Sequence, residues 1–189
     1  EHPANGAARR NLAEVLERQG RLVEAGARFE EALRISQKAY GAEHTDVALA
    51  YVGLARIKGE PGHAAAALSD YRQAQAIFVR LQKQPDQDAI EAQLGVGASL
   101  ATLNRHAEAL PILESALAAM PTSQTPLNDR LRGRILSALA RVLWAMSRPG
   151  DQGRAMEHAQ SARRLLTPLP MAKAELTLVQ TWLALRGQP

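Results

Sequence analysis

Apolar residues along this chain recur every three or four positions, with polar residues between them, from the first segment almost to the last. That spacing puts one oily stripe on each of a series of α-helices. It predicts helices near 4–18, 22–38, 45–58, 63–82, 87–102, 106–119, 127–147, 152–166 and 170–185. Ala and Leu supply most of the apolar positions and favour helix, while β-branched residues never alternate over a long run. The expected class is all-α.

The pattern also repeats. The chain opens "EHPANGAARRNLAEVL", and residues 43–58 read "EHTDVALAYVGLARIK". A shift of 42 residues lays Leu12-Ala13 on Leu54-Ala55, Gly20 on Gly62, Ala25 on Ala67, Phe29 on Tyr71, Ala32 on Ala74 and Ile35 on Ile77. A second shift brings Ala13 to Gly97, Leu16 to Leu100, Ala25 to Ala109, Phe29 to Leu113 and Ala32 to Ala116. Gly20 then meets Asn104, the residue that best replaces Gly in a left-handed helix-ending turn. A fourth copy places Ala140, Leu143, Ala155 and Ala162 at the same stations, with extra residues taken up in the turn "SRPGDQGR". Each unit is thus a pair of amphipathic helices, in which small residues let the backbones approach and larger ones fill the gap. The final segment, "PMAKAELTLVQTWLALRG", keeps helical spacing through Leu176, Val179, Trp182 and Leu183.

The order "NLAEVLERQGRLVEAGARFEEAL" resembles a tetratricopeptide repeat: a small residue, a turn Gly, then Ala, an aromatic and Ala. The 42-residue period and the joint "YGAEHTDVA" are similar to the kinesin-light-chain variety, common in bacterial proteins. The resemblance implies an α-solenoid, a right-handed superhelix of four helix pairs closed by a C-terminal capping helix. It forms one repeat domain over 1–189, with units 1–41, 42–84, 85–126 and 127–168 and a cap at 169–186. It also implies a non-catalytic protein- or peptide-binding scaffold in a larger bacterial signalling or assembly protein. Because the chain begins at Glu1 without Met, it reads as part of a longer or processed product.

Composition narrows the chemistry. There is no cysteine, which removes disulfides, thiolate metal sites and Cys nucleophiles. No apolar run reaches the length of a membrane span and no signal-peptide layout is present; the expected compartment is the cytoplasm, with the periplasm left open. The formal charge of +4 is unevenly spread: residues 85–129 hold six acids and one base, residues 130–189 ten bases and three acids.

Candidate catalytic chemistry is absent. His2, His44, His63, His106 and His158 fall mostly at repeating stations beside turns, and none sits at metal-ligand spacing with another. "LGVGASL" at 94–100 lacks the GK[ST] of a phosphate loop and follows no strand. Glu30 and Glu31 lie one turn from Arg34, the spacing of a surface ion pair. No enzyme, metal or cofactor is expected.

The resemblance assigns inward-facing positions to the first helix of each pair. These are Arg10, Asn11, Glu14 and Arg18; Val52, Gly53, Arg56 and Glu60; Leu94, Ala98 and Thr102; and Arg134, Ser137, Arg141 and Trp144. In the family, an Asn at the place of Asn11 often bonds the backbone of an extended peptide. Its counterparts here are Gly53, Gly95 and Ala138, so that row is broken. What is expected is a groove with arginines at both ends, suited to an acidic or amphipathic partner segment, with Trp144 as anchor. Two other functions compete. Arg130, Arg132, Arg134, Arg163 and Arg164 suggest nucleic acid, against which stands the scarcity of aromatic stacking platforms. An exposed repeat end suggests self-association into a homo-oligomer.

Overall fold

The computed structural model describes residues 4–59, 61–81 and 86–186. Among these residues every regular element is helical. The nine α-helices are α1 (Ala4–Arg18), α2 (Leu22–Tyr40), α3 (Thr45–Ile57), α4 (Ala64–Arg80), α5 (Gln87–Thr102), α6 (His106–Ala118), α7 (Pro126–Met146), α8 (Asp151–Leu166) and α9 (Lys173–Arg186). Short 3₁₀ turns at Pro61–His63 and Pro170–Ala172 lead into α4 and α9.

Local chemistry accounts for the boundaries. Asp86 and Thr125 cap α5 and α7 by accepting from the backbone N–H of Ala89 (3.0 Å) and Asn128 (3.2 Å). His44 caps α3 in the same way, its Nδ1 accepting from the Asp46 N–H at 3.2 Å, while its ring stacks on Tyr40. Gly20 and Asn104 both take the left-handed conformation expected of them, at φ 76° and 59°. Gly62 does not, because Pro61 opens a 3₁₀ turn there and carries the chain into α4 without a left-handed residue. The opening helix pair and its sequel are joined by the turn around Gly41, also at positive φ.

The chain forms two compact units, one up to Leu103 and one from Asn104 onward. In the first, α1 to α5 pack in sequence order, with α1 also reaching α3 and α3 reaching α5. Its core follows the repeated stations: Ala13, Leu16, Ala25, Phe29 and Leu54 form one buried cluster, flanked by Leu33 and Ile57. In the second unit, α6 packs on α7, α7 on α8 and α8 on α9. There Leu136, Ala162, Leu166, Ala172 and Val179 form the buried cluster, joined by Leu176 and Leu183 of α9. So α9 covers the α7–α8 pair through the stripe its sequence displays. Its other side leaves Leu178 and Leu185 about 70% exposed.

Two glycines reveal how the repeats interlock. A Cβ on Gly53 would stand 2.2 Å from the nearest atom of the Phe29 ring, and one on Gly95 would stand 2.4 Å from the Tyr71 ring. Each ring belongs to the second helix of one pair and lies against the first helix of the next. The two contacts are one repeat apart. Two of the three residues that interrupt the expected Asn row, Gly53 and Gly95, are therefore glycines because an aromatic ring occupies the space a side chain would need.

Candidate partner-binding faces

In the first unit, the side chains of α1, α3 and α5 couple across one charged face. Arg10 of α1 lies 3.8 Å from Asp46 at the start of α3. Arg56 of α3 reaches back to α1 with a two-pronged bond to Glu17, Nε donating at 3.0 Å and Nη2 at 2.7 Å. It also lies 3.9 Å from Glu91 of α5, and its guanidinium stands over the Phe29 ring. Desolvation alone would lower the Arg56 pKa; the hydrogen bonds and charge of Glu17, with help from Glu91, more than offset it and raise it. Arg18 is largely exposed, 4.0 Å from Glu14.

This face differs from the expected acidic-ligand groove. Arg56, expected to fork a partner's carboxylates, already holds the chain's own Glu17, while Arg10 lies only within ion-pair range of Asp46 and keeps a buried Nε without a hydrogen-bond partner. Acid is in surplus instead. The Asp88 carboxyl at the head of α5 has a raised pKa, through desolvation first and then through the negative charges of Asp86, Glu91 and Glu14, which Arg10 only partly relieves.

The other assigned positions divide by burial. Asn11, Arg18 and Thr102 are exposed, Glu14 and Ala98 half-buried. Val52 and Leu94 retain only 4% exposure each and belong to the core. They are buried because α3 and α5 are flanked by helices on more than one side, so the apolar arc on each is wider than a single stripe. Glu60, like His2, lies outside the described residues.

In the second unit, Arg134 and Ser137 are half-buried and Arg141 is exposed on α7. Trp144 packs edge-on to Trp182 of α9, ring centroids 5.5 Å apart. The Arg186 guanidinium covers both rings, at 4.9 Å from Trp182 and 5.7 Å from Trp144. Several neighbouring arginines are internally committed: Arg130 to Glu175, Arg132 to the Pro121 carbonyl and Asp129, Arg154 to Glu114. The basic excess of residues 130–189 is thus partly consumed within the unit.

Sequence pattern missed Glu17, Glu91, Asp46 and Asp88 as members of the first face, and Trp182 and Arg186 as partners of Trp144. Glu17 stands one turn from Glu14, which could have flagged it; the others depend on contacts between helices far apart in sequence. Among the described residues, no group of three or more histidines and carboxylates could hold a metal ion, and no helix is long and apolar enough to cross a membrane. His158 has a lowered pKa, from burial first and from Arg154 second.

Comparison with known proteins agrees with this architecture. Residues 5–78 and 61–123 match two family models, each described as a tetratricopeptide repeat. No curated protein matches the chain in sequence. Among solved structures, it is similar to BtubC (BKLC) from P. vanneervenii, with a TM-score of 0.72 and 24% identity over 87% of this chain. The chain spans 65% of that protein's length. It is also similar to a putative kinesin light chain from Podosopora anserina with nearly identical TPR-like repeats, with a TM-score of 0.59 and 17% identity over 96% of both chains. A point variant of that protein gives a TM-score of 0.59 at 16% identity, over 96% of this chain and 94% of that one. At these identities the likeness is one of fold. Repeated helix pairs, interlocked small and large stations and matching family models together make this chain a member of the tetratricopeptide repeat family, whose repeats generally serve as protein–protein interaction scaffolds.

Proposed function

We propose that this chain is a non-catalytic scaffold that holds partner-protein segments, with one face formed by α1, α3 and α5 in the first unit and a separate one on α7 in the second. One observation carries the proposal. Charged side chains on α1, α3 and α5 interact across three helices on a single face, whereas α2 packs against α1 and α3 and α4 against α3 and α5. A face organised by ion pairs keeps its shape before a partner arrives, which lowers the entropic cost of binding. With Arg56 engaged by Glu17 and Asp88 poorly compensated, this face suits an amphipathic segment better than a purely acidic one.

The test is selection from a peptide library followed by affinity measurements on variants. Asn11→Trp and Arg18→Glu, both on exposed positions of α1, should weaken the selected peptides about tenfold or more. Gln73→Trp, on the exposed side of α4, should leave them unchanged. Failure to enrich any peptide, or equal weakening by the α4 change, would remove this assignment.

A further inference from the structure

In the second unit, a pair of tryptophans is flanked by two arginines, Arg141 and Arg186, for which the described residues supply no carboxylate partner. Arg186 lies over both rings, and its Nε is buried without a hydrogen-bond partner. A donor withdrawn from water and left unsatisfied is costly, so a native structure that retains one invites an acceptor from elsewhere. Arg141 lies one turn before Trp144 on α7 and therefore on the same side of the helix. No hydrogen bond or ion pair from the described residues engages it. It is exposed, yet the protein around it displaces enough water to lower its pKa. On the same two helices Glu175 pairs with Arg130 and Asp129 lies 3.7 Å from Arg132, both about three turns away from Arg186 and Arg141 along their helices.

We infer that Arg141, Trp144, Trp182 and Arg186 form an anion-binding anchor on α7 and α9, for a partner segment in which an acidic side chain sits next to an apolar one. The carboxylate meets the guanidiniums, and the apolar neighbour rests on what remains open of the indoles. The ring geometry favours polypeptide over nucleic acid. The indoles meet edge to face and Arg186 covers both, so neither offers the open flat platform on which bases stack. This inference rests on the scaffold proposal above and adds to it a ligand chemistry and two residues of α9.

Trp144 and Trp182 are the only tryptophans in the chain, so intrinsic fluorescence reports on this cluster alone. The probes are a panel of short peptides with paired Asp or Glu beside Leu, Phe or Gly, and their Asn/Gln counterparts. A single-stranded oligothymidine serves as the competing ligand class. Saturable fluorescence changes are expected with the acidic–apolar peptides, weaker by about tenfold for the amide counterparts and for Arg141→Gln or Arg186→Gln. Arg141→Gln alters an exposed position and keeps the test valid if Arg186→Gln disturbs α9; Arg148→Gln, in the loop after α7, should change nothing. No response to any acidic peptide, equal binding of the amide forms, or indifference to Arg141→Gln would overturn the inference. So would tighter saturable binding of oligothymidine, which would assign the cluster to nucleic acid. If library peptides still bind and still respond to the α1 variants, only the anchor falls and the scaffold stands.

Discussion

The interlock of Gly53 with Phe29 allows a sharp test of how successive repeats are fitted together. In Gly53→Ala, the new Cβ would lie 2.2, 2.4 and 2.6 Å from three atoms of the Phe29 ring. Ordinary carbon contacts are about 3.5–4.0 Å, so the ring would have to retreat by more than about 1 Å. Phe29 has no exposed surface and sits among Ala13, Leu16, Ala25 and Leu54, which leaves it nowhere to go. Overpacking of this severity belongs at the upper end of its usual cost, about 3 kcal/mol, and replacing a helical Gly by Ala returns about 1 kcal/mol. The net expectation is a loss of about 2 kcal/mol, or a melting temperature lower by about 4–8 °C for a chain of this size. Adding Phe29→Leu should recover at least about 1 kcal/mol in a double-mutant cycle, because Leu and Ala together relieve what either residue alone does not. The chain uses that combination in its second unit, Leu113 ahead of Ala138. Gly26→Ala is the control: its Cβ would meet only Ile57, at 3.7 Å, so it should stabilise by up to about 1 kcal/mol. The assay is thermal and urea unfolding of the four combinations with the control. If Gly53→Ala stabilises as Gly26→Ala does, or if the cycle shows no coupling, the ring does not set the repeat spacing.

Other expectations follow from the same geometry. Glu17→Gln leaves Arg56 only the looser contact with Glu91 and should cost about 1–2 kcal/mol in urea unfolding, with the double Glu17→Gln, Arg56→Gln change costing less than the sum of the singles. Asp88 has a pKa raised in the folded chain, so its contribution favours the fold fully below the ordinary Asp value, about 4, and fades as pH rises through the raised one. Asp88→Asn should therefore flatten that part of the stability–pH profile and raise the melting temperature at neutral pH; an unchanged profile would contradict the assignment. Pro111 lies inside α6 on its exposed side, where it denies the helix a backbone bond, and Pro111→Ala should stabilise by about 1–3 kcal/mol in thermal unfolding. Ala109, fully buried at a small station, should lose about 1–3 kcal/mol in the same assay on replacement by Leu.

The period of the hydrophobic pattern was enough to place the helices, because each unit's oily stripe must meet its neighbour's and that demand is written locally, every three or four residues. Ala13, Ala25, Phe29 and Ala32 were readable as core for the same reason, and Gly20 and Asn104 as left-handed turns because few residues tolerate that conformation. Gly62 escaped the pattern since one proline beside it changed the turn. The proposed partner-binding positions were less legible. Asn11, Arg18 and Thr102 are exposed, but Val52 and Leu94 sink into the core because helices flank them on several sides, a fact of packing that a single stripe does not show. Which arginines are free could not be read at all: Arg56 finds Glu17 across 39 residues, and Arg186 meets Trp144 only after α9 has folded back on the α7–α8 pair. Local periodicity by itself determined where the chain coils and which stripe it buries. Only tertiary structure decided which charges cancel, which stay open, and why two glycines stand where a binding residue was expected, since those depend on side chains brought together from distant helices.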